Sequence, residues 1–75
     1  MDPTKLARMA NDIANNFAVL GEAEAISSTA NHIRMFWDPR MRKQAFAMVG
    51  GVDDTFNEIA RQALEQLAGA AAENG

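Results

Sequence analysis

The pair Asp-Pro occurs twice, at Asp2-Pro3 and Asp38-Pro39, and glycines stand at Gly21 and at Gly50-Gly51. Proline suits the first position of a helix, where its missing N–H would have no partner. An aspartate before it accepts a bond from a free backbone N–H. Glycine ends helices because it takes up left-handed backbone without steric cost. These start and stop signals divide the 75 residues into four helical segments and leave no stretch that reads as a strand. The segments are about 3–20, 22–36, 39–49 and 54–68, followed by a small-residue tail at 69–75 expected to fray. The predicted architecture is all-α: one small domain, residues 1–75, built as a bundle of three to four short helices.

Apolar periodicity supports the division. Leu6, Met9, Ala10, Ile13, Ala14, Phe17 and Leu20 follow the three-and-four spacing of one buried face. In the second segment Ala23, Ile26, Ala30, Ile33 and Trp37 form a narrower stripe, and Ser27-Ser28-Thr29 weaken helix propensity at its middle. The third stripe is Met41, Ala45, Met48 and Val49. The fourth is Phe56, Ile59, Ala60, Ala63, Leu64 and Leu67. Asp53 or Asp54 is the expected cap of the last helix, although Thr55 and Glu58 also have capping-box spacing.

A core this small supplies only about 3–5 kcal/mol of net stability, so chains of this size often depend on a disulfide, a metal or a partner. There is no cysteine, which removes disulfides and iron–sulfur ligation, and one histidine, His32, makes zinc a poor fit. A protein partner is the remaining common prop. The N-terminus has no basic-then-apolar leader, and no stretch approaches the roughly 20 apolar residues of a membrane span. A cytoplasmic location is therefore the expectation.

The densest chemistry lies at Arg34-Met35-Phe36-Trp37-Asp38-Pro39-Arg40-Met41-Arg42, which holds the single tryptophan and three of the seven basic residues. From His32 to Lys43 four basic residues face only Asp38, in a chain whose formal charge is −3. Tryptophan and arginine are enriched among the residues that carry binding energy at interfaces. The candidate partner-interface residues are accordingly Arg34, Trp37, Arg40, Arg42, Lys43 and Phe46. Trp37 has a competing structural role, sealing the end of the bundle, with Asp38 and Pro39 fixing the turn. Phe46 falls off its helix's apolar stripe, beside Arg42 and Lys43. It reads either as part of a contact surface or as packing against the fourth helix.

Catalytic chemistry finds little support. Ser27, Ser28 and Thr29 precede His32 on one helix, but no cleft or oxyanion hole is implied, so no catalytic, cofactor-binding or metal-binding residue is assigned. Four helices with basic residues at a sharp turn loosely suggest a DNA-binding or free-standing adaptor role. Net acidity and only four clustered basic residues oppose nucleic acid, because phosphate neutralisation dominates such affinity. The amphipathic helices carry more acid than base on their polar faces, which opposes a membrane-surface role.

Two blocks resemble the small delta subunit of soluble, NAD-dependent, molybdenum-containing formate dehydrogenases. The first is Arg8-Met9-Ala10-Asn11-Asp12-Ile13-Ala14 with Phe17. The second, more specific block is His32-Ile33-Arg34-Met35-Phe36-Trp37-Asp38-Pro39-Arg40-Met41-Arg42. The likeness covers roughly the first two-thirds of the chain; residues 18–28 and the alanine-rich tail show no matching pattern. The resemblance implies a non-catalytic accessory subunit of a complex that oxidises formate to carbon dioxide and reduces NAD+. It implies a large alpha subunit holding the molybdenum cofactor as the main partner. Iron–sulfur clusters and FMN would belong to the partner subunits, beta and gamma among them, and none of these groups to this chain.

Overall fold

The structure is a computed structural model that describes the backbone of residues 1–74 and the side chains of residues 1–70. Four α-helices follow one another: α1 (Pro3–Phe17), α2 (Glu22–Phe36), α3 (Pro39–Met48) and α4 (Glu58–Asn74). They form a small all-α bundle, with no strand among the described residues.

Both Asp-Pro pairs start helices by the same local chemistry. The Thr4 N–H donates to Asp2 Oδ1 at 2.9 Å, and the Met41 N–H donates to Asp38 Oδ1 at 2.9 Å. α1 ends at Phe17 and tightens into a 3₁₀ turn over Ala18–Leu20, so the expected segment to residue 20 changes helix type in its last three residues. Gly21, at φ 94°, ψ 155°, then redirects the chain into α2, a backbone setting that a side chain would strain. Gly50, at φ 80°, ends the turn after α3 in the same way.

The last helix starts later than expected. It begins at Glu58 rather than near residue 54, and its cap is Asn57, whose Oδ1 accepts from the Ala60 N–H at 2.9 Å. Asp54 is occupied within the loop instead, where its carboxylate accepts from the N–H groups of Gly50 and Phe56. Phe56 consequently lies ahead of the helix, though still buried. α4 runs through Asn74, while Gly75 and the side chains of residues 71–75 lie outside the described residues.

The core gathers Leu6, Ala7, Ala10 and Ala14 of α1, Ile33 and Trp37, Ala45 and Met48 of α3, Phe56, and Ala60 and Leu64 of α4. Five of these eleven are alanine, so the helices meet in large part through small side chains. α2 and α4 make the most extensive helix–helix contact. α2 is turned from its predicted orientation. Ala25, Thr29, Ala30 and Ile33 are buried, whereas Ala23 is exposed and Ile26 is half-buried. Alanine and threonine carry little hydrophobic signal, so the true inner face of α2 is faint in the sequence. Its burial follows from close packing on neighbouring helices.

A polar clasp fixes the α3–α4 connection against α1. Asn11 Oδ1 accepts from the Asn57 N–H at 2.8 Å, and Asn11 Nδ2 donates to the Thr55 carbonyl at 3.0 Å. One turn later, Asn15 Oδ1 accepts from Asn57 Nδ2 at 3.2 Å. Asn11 thus has a structural duty: it satisfies the donor and acceptor of a loop that no neighbouring strand or helix pairs.

Candidate functional site

The chain leaves α2 at Phe36, runs extended through Trp37 and Asp38, and enters α3 at Pro39. Extended backbone before a proline avoids the clash between the proline ring and the preceding residue. This break forms the corner on which the candidate residues sit, and they divide there into two groups.

Three of the six serve the fold. Trp37 is only 6% exposed and belongs to the core, sealing it where α2 ends. Phe46 is half-buried and packs against that core, which favours its packing reading. Arg42 is half-buried, and its Nη1 donates to two carbonyl oxygens, Arg34 at 3.0 Å and Trp37 at 2.8 Å. Helix ends leave their last carbonyls without partners, and the cation also meets the negative end of the helix dipole. Arg42 is therefore bonded inward, which its expectation as a free contact residue did not anticipate.

Arg34, Arg40 and Lys43 are exposed. Arg40 and Lys43, three residues apart, share the outer face of α3 with Ala47. Arg34 Nη2 bonds the neutral Asn31 Oδ1 at 2.6 Å. Asp38, the one acid within the corner, accepts the α3 capping bond. The one ion pair among the described residues, Arg61 with Glu58, is elsewhere on α4. These three cations are left without an acidic partner among the described residues.

Sequence reasoning missed an apolar feature beside them. Phe36 is 70% exposed and Met35 60% exposed, both on the last turn of α2. His32 lies between two rings, with centroids 4.7 Å from Phe36 in a tilted arrangement and 6.3 Å from Phe17 edge-on. A signal was present: Phe36 follows Thr29 by seven residues, two helical turns, and so lies on the same face as that buried residue.

The arrangement offers little for covalent chemistry or metal binding. No cluster of three or more His, Asp or Glu suited to a metal occurs among the described residues. His32 is packed between phenylalanines, and a cluster-binding thiolate set is absent from a chain without cysteine. A shallow groove between α2 and α4 is lined by Ala30, Asn31, Arg34, Gln66 and Leu67 among others, which pairs no nucleophile with a base. Among the described residues, no helix is long and apolar enough to cross a membrane.

Fold and corner together define a small all-α domain that presents uncompensated cations and exposed aromatic surface where two helices meet. The sequence profile described as NADH-dependent formate dehydrogenase delta subunit FdsD matches residues 5–64. The chain belongs to that family of delta subunits. No curated protein and no solved structure matches it.

Proposed function

We propose that this delta subunit is a non-catalytic accessory component of a cytoplasmic, NAD-dependent formate dehydrogenase. It binds a larger subunit through the Trp37 corner and stabilises the complex or assists its assembly. The observation that carries the reading is the trio Arg34, Arg40 and Lys43, exposed on a corner whose only carboxylate is already engaged. In the complex, formate oxidation to carbon dioxide and reduction of NAD+ take place at the molybdenum cofactor, iron–sulfur clusters and FMN of the alpha, beta and gamma subunits. This chain contributes binding energy and no redox group.

The mechanism is linkage. A component that binds only the folded, assembled state stabilises it, by about 2.7 kcal/mol when present at a hundred times its dissociation constant. Charged groups at the rim of such an interface steer the encounter and fix the register of docking.

The test is reconstitution. Formate dehydrogenase purified from cells lacking this chain is mixed with the wild-type chain or with the Arg40→Glu, Lys43→Glu variant. The expected result is that wild type co-elutes with the enzyme and raises its half-life at elevated temperature, whereas the variant does neither despite an unchanged melting temperature of its own. Failure of the wild-type chain to bind, or formate turnover by the isolated chain, overturns the reading.

A further inference from the structure

Phe36 lies on the face of α2 whose earlier residues are buried, yet it is itself exposed. Along α2 the buried positions Ala25, Thr29 and Ile33 mark the inner face, and Phe36 follows them by about three turns, two turns and one turn, respectively. The ring of Phe36 on that face is nevertheless 70% exposed. The next residue, Trp37, leaves helical geometry at φ −89°, ψ 140° and is buried. The fold therefore takes one aromatic into its own core and leaves its neighbour outside.

The exposed ring does not stand alone. It packs on His32, which packs on Phe17, forming an aromatic row from α2 to the end of α1. Leu20, three residues beyond Phe17, and Met35, beside Phe36, are also exposed large apolar side chains. Isolated apolar residues on a surface need no explanation, but a run of this kind marks an interaction site. Aromatic side chains held by neighbouring rings are suited to anchoring because they have little conformational freedom to lose on binding.

Charge identifies the occupant. Phe36 lies two residues after Arg34 and four before Arg40, with Lys43 one turn further along the exposed face of α3. None of the three has an acidic partner among the described residues, and the Asp38 carboxylate is taken by the Met41 N–H. A complementary surface must offer an apolar hollow for the ring and carboxylates around it.

We infer that Phe36, with Met35 beside it and the His32–Phe17 row behind it, is the apolar anchor of docking, seated in a carboxylate-rimmed hollow on another subunit of the formate dehydrogenase complex. This inference rests on the accessory-subunit reading above and adds the residue that carries the binding energy. Arg34, Arg40 and Lys43, close to the anchor along the chain, set its approach; Phe36 holds it in place.

The experiment measures affinity of the chain for formate dehydrogenase purified without it, comparing wild type, Phe36→Ala and Met35→Asp. Phe36→Ala is expected to weaken binding about thirtyfold, the scale of an anchor residue at an interface, mostly by faster dissociation. Met35→Asp leaves the aromatic row untouched and places a carboxylate against carboxylates, so it is expected to weaken binding tenfold or more. Both isolated variants keep the wild-type melting temperature within a few degrees; should Phe36→Ala fall further, Met35→Asp alone decides. If wild type binds and Met35→Asp binds equally well, the anchor assignment is overturned while the accessory-subunit reading stands. If wild type does not bind at all, the accessory-subunit reading itself fails. Sedimentation of the isolated chain supplies a further outcome: a homodimer that Phe36→Ala dissociates would assign the patch to a second copy and overturn the inference.

Discussion

Arg42 Nη1 lies 2.8 Å from the carbonyl oxygen of Trp37, so a side chain from the first turn of α3 closes the end of α2. The same nitrogen reaches the Arg34 carbonyl at 3.0 Å. One guanidinium thus ties two helices across the break and holds the backbone on which Trp37 turns into the core. The cationic corner contains its own fastener, and the other three cations, Arg34, Arg40 and Lys43, are exposed.

Replacing Arg42 with alanine removes both bonds and leaves two carbonyls at a helix end to water. Hydrogen bonds from charged groups contribute about 1.5–3 kcal/mol when sheltered, and half-exposure lowers that, so a loss of about 1–2 kcal/mol is expected. A domain of this size loses roughly 4–8 °C of melting temperature per kcal/mol. Arg42→Lys should recover only part of the loss, since a point charge does not reproduce the planar donor geometry. Thermal unfolding by circular dichroism checks this. An unchanged midpoint in Arg42→Ala would mean the two bonds contribute nothing to stability in solution.

Asn57 is both the cap of α4 and the partner of Asn15. Asn57→Ala loses the capping acceptor as well as the tertiary bond, with an expected cost of about 1–2 kcal/mol. Asn57→Asp keeps an acceptor for the Ala60 N–H and adds a negative charge at the positive end of the helix, but forgoes the donor to Asn15. It should fall within about 0.5 kcal/mol of wild type, a minor change on the capping scale. Urea unfolding resolves the two variants. Equal losses in both would assign the effect to the Asn15 bond rather than to the cap.

What could be read from the sequence follows the range of the interactions. The starts of α1 and α3 depend on Asp2 and Asp38 bonding N–H groups two and three residues away, so local spelling suffices. The start of α4 combines a local cap, Asn57 with the Ala60 N–H, with bonds from Asn11 and Asn15 to Asn57 across more than forty residues, and no local pattern reports the latter. The inner face of α2 was read in part: Ala30, Ile33 and Trp37 are buried as expected, whereas Ala25 and Thr29 carry too little hydrophobic signal to be told from their neighbours. Phe36, whose position on that face gives it meaning, was missed with them. The basic corner was legible as a cluster of charge. That Arg42 is bonded inward was not, because its bonds reach back to carbonyls five and eight residues earlier.

If the three exposed cations steer docking, association should slow as salt is added. Screening shortens from a Debye length of about 10 Å at 0.1 M to about 3 Å at 1 M. The association rate with the larger enzyme is expected to fall severalfold across that range for wild type and to change little for Arg40→Glu, Lys43→Glu. Stopped-flow or surface-based kinetics separates the rate of association from that of dissociation. A flat salt dependence in wild type would remove steering from the role of these residues.

Thr29 presents a different problem, a polar group in the wrong surroundings. It is 0% exposed, and its Oγ1 has no hydrogen-bond partner among the described residues. A threonine inside a helix can bond the carbonyl four residues back, but that bond is not formed here. An unsatisfied buried hydroxyl costs about 1–3 kcal/mol of desolvation. Thr29→Val substitutes a methyl of similar size and has comparable helix propensity, so it should stabilise the isolated chain by about 1–2 kcal/mol. Thr29→Ser keeps the hydroxyl and discards a buried methyl, and should destabilise by about 1 kcal/mol. The expected order of melting temperatures is Val above wild type above Ser, measured on chains that share the same helix content. A valine variant less stable than wild type would mean that the hydroxyl is bonded in solution, either to the Ala25 carbonyl or to a water held between α2 and its neighbours.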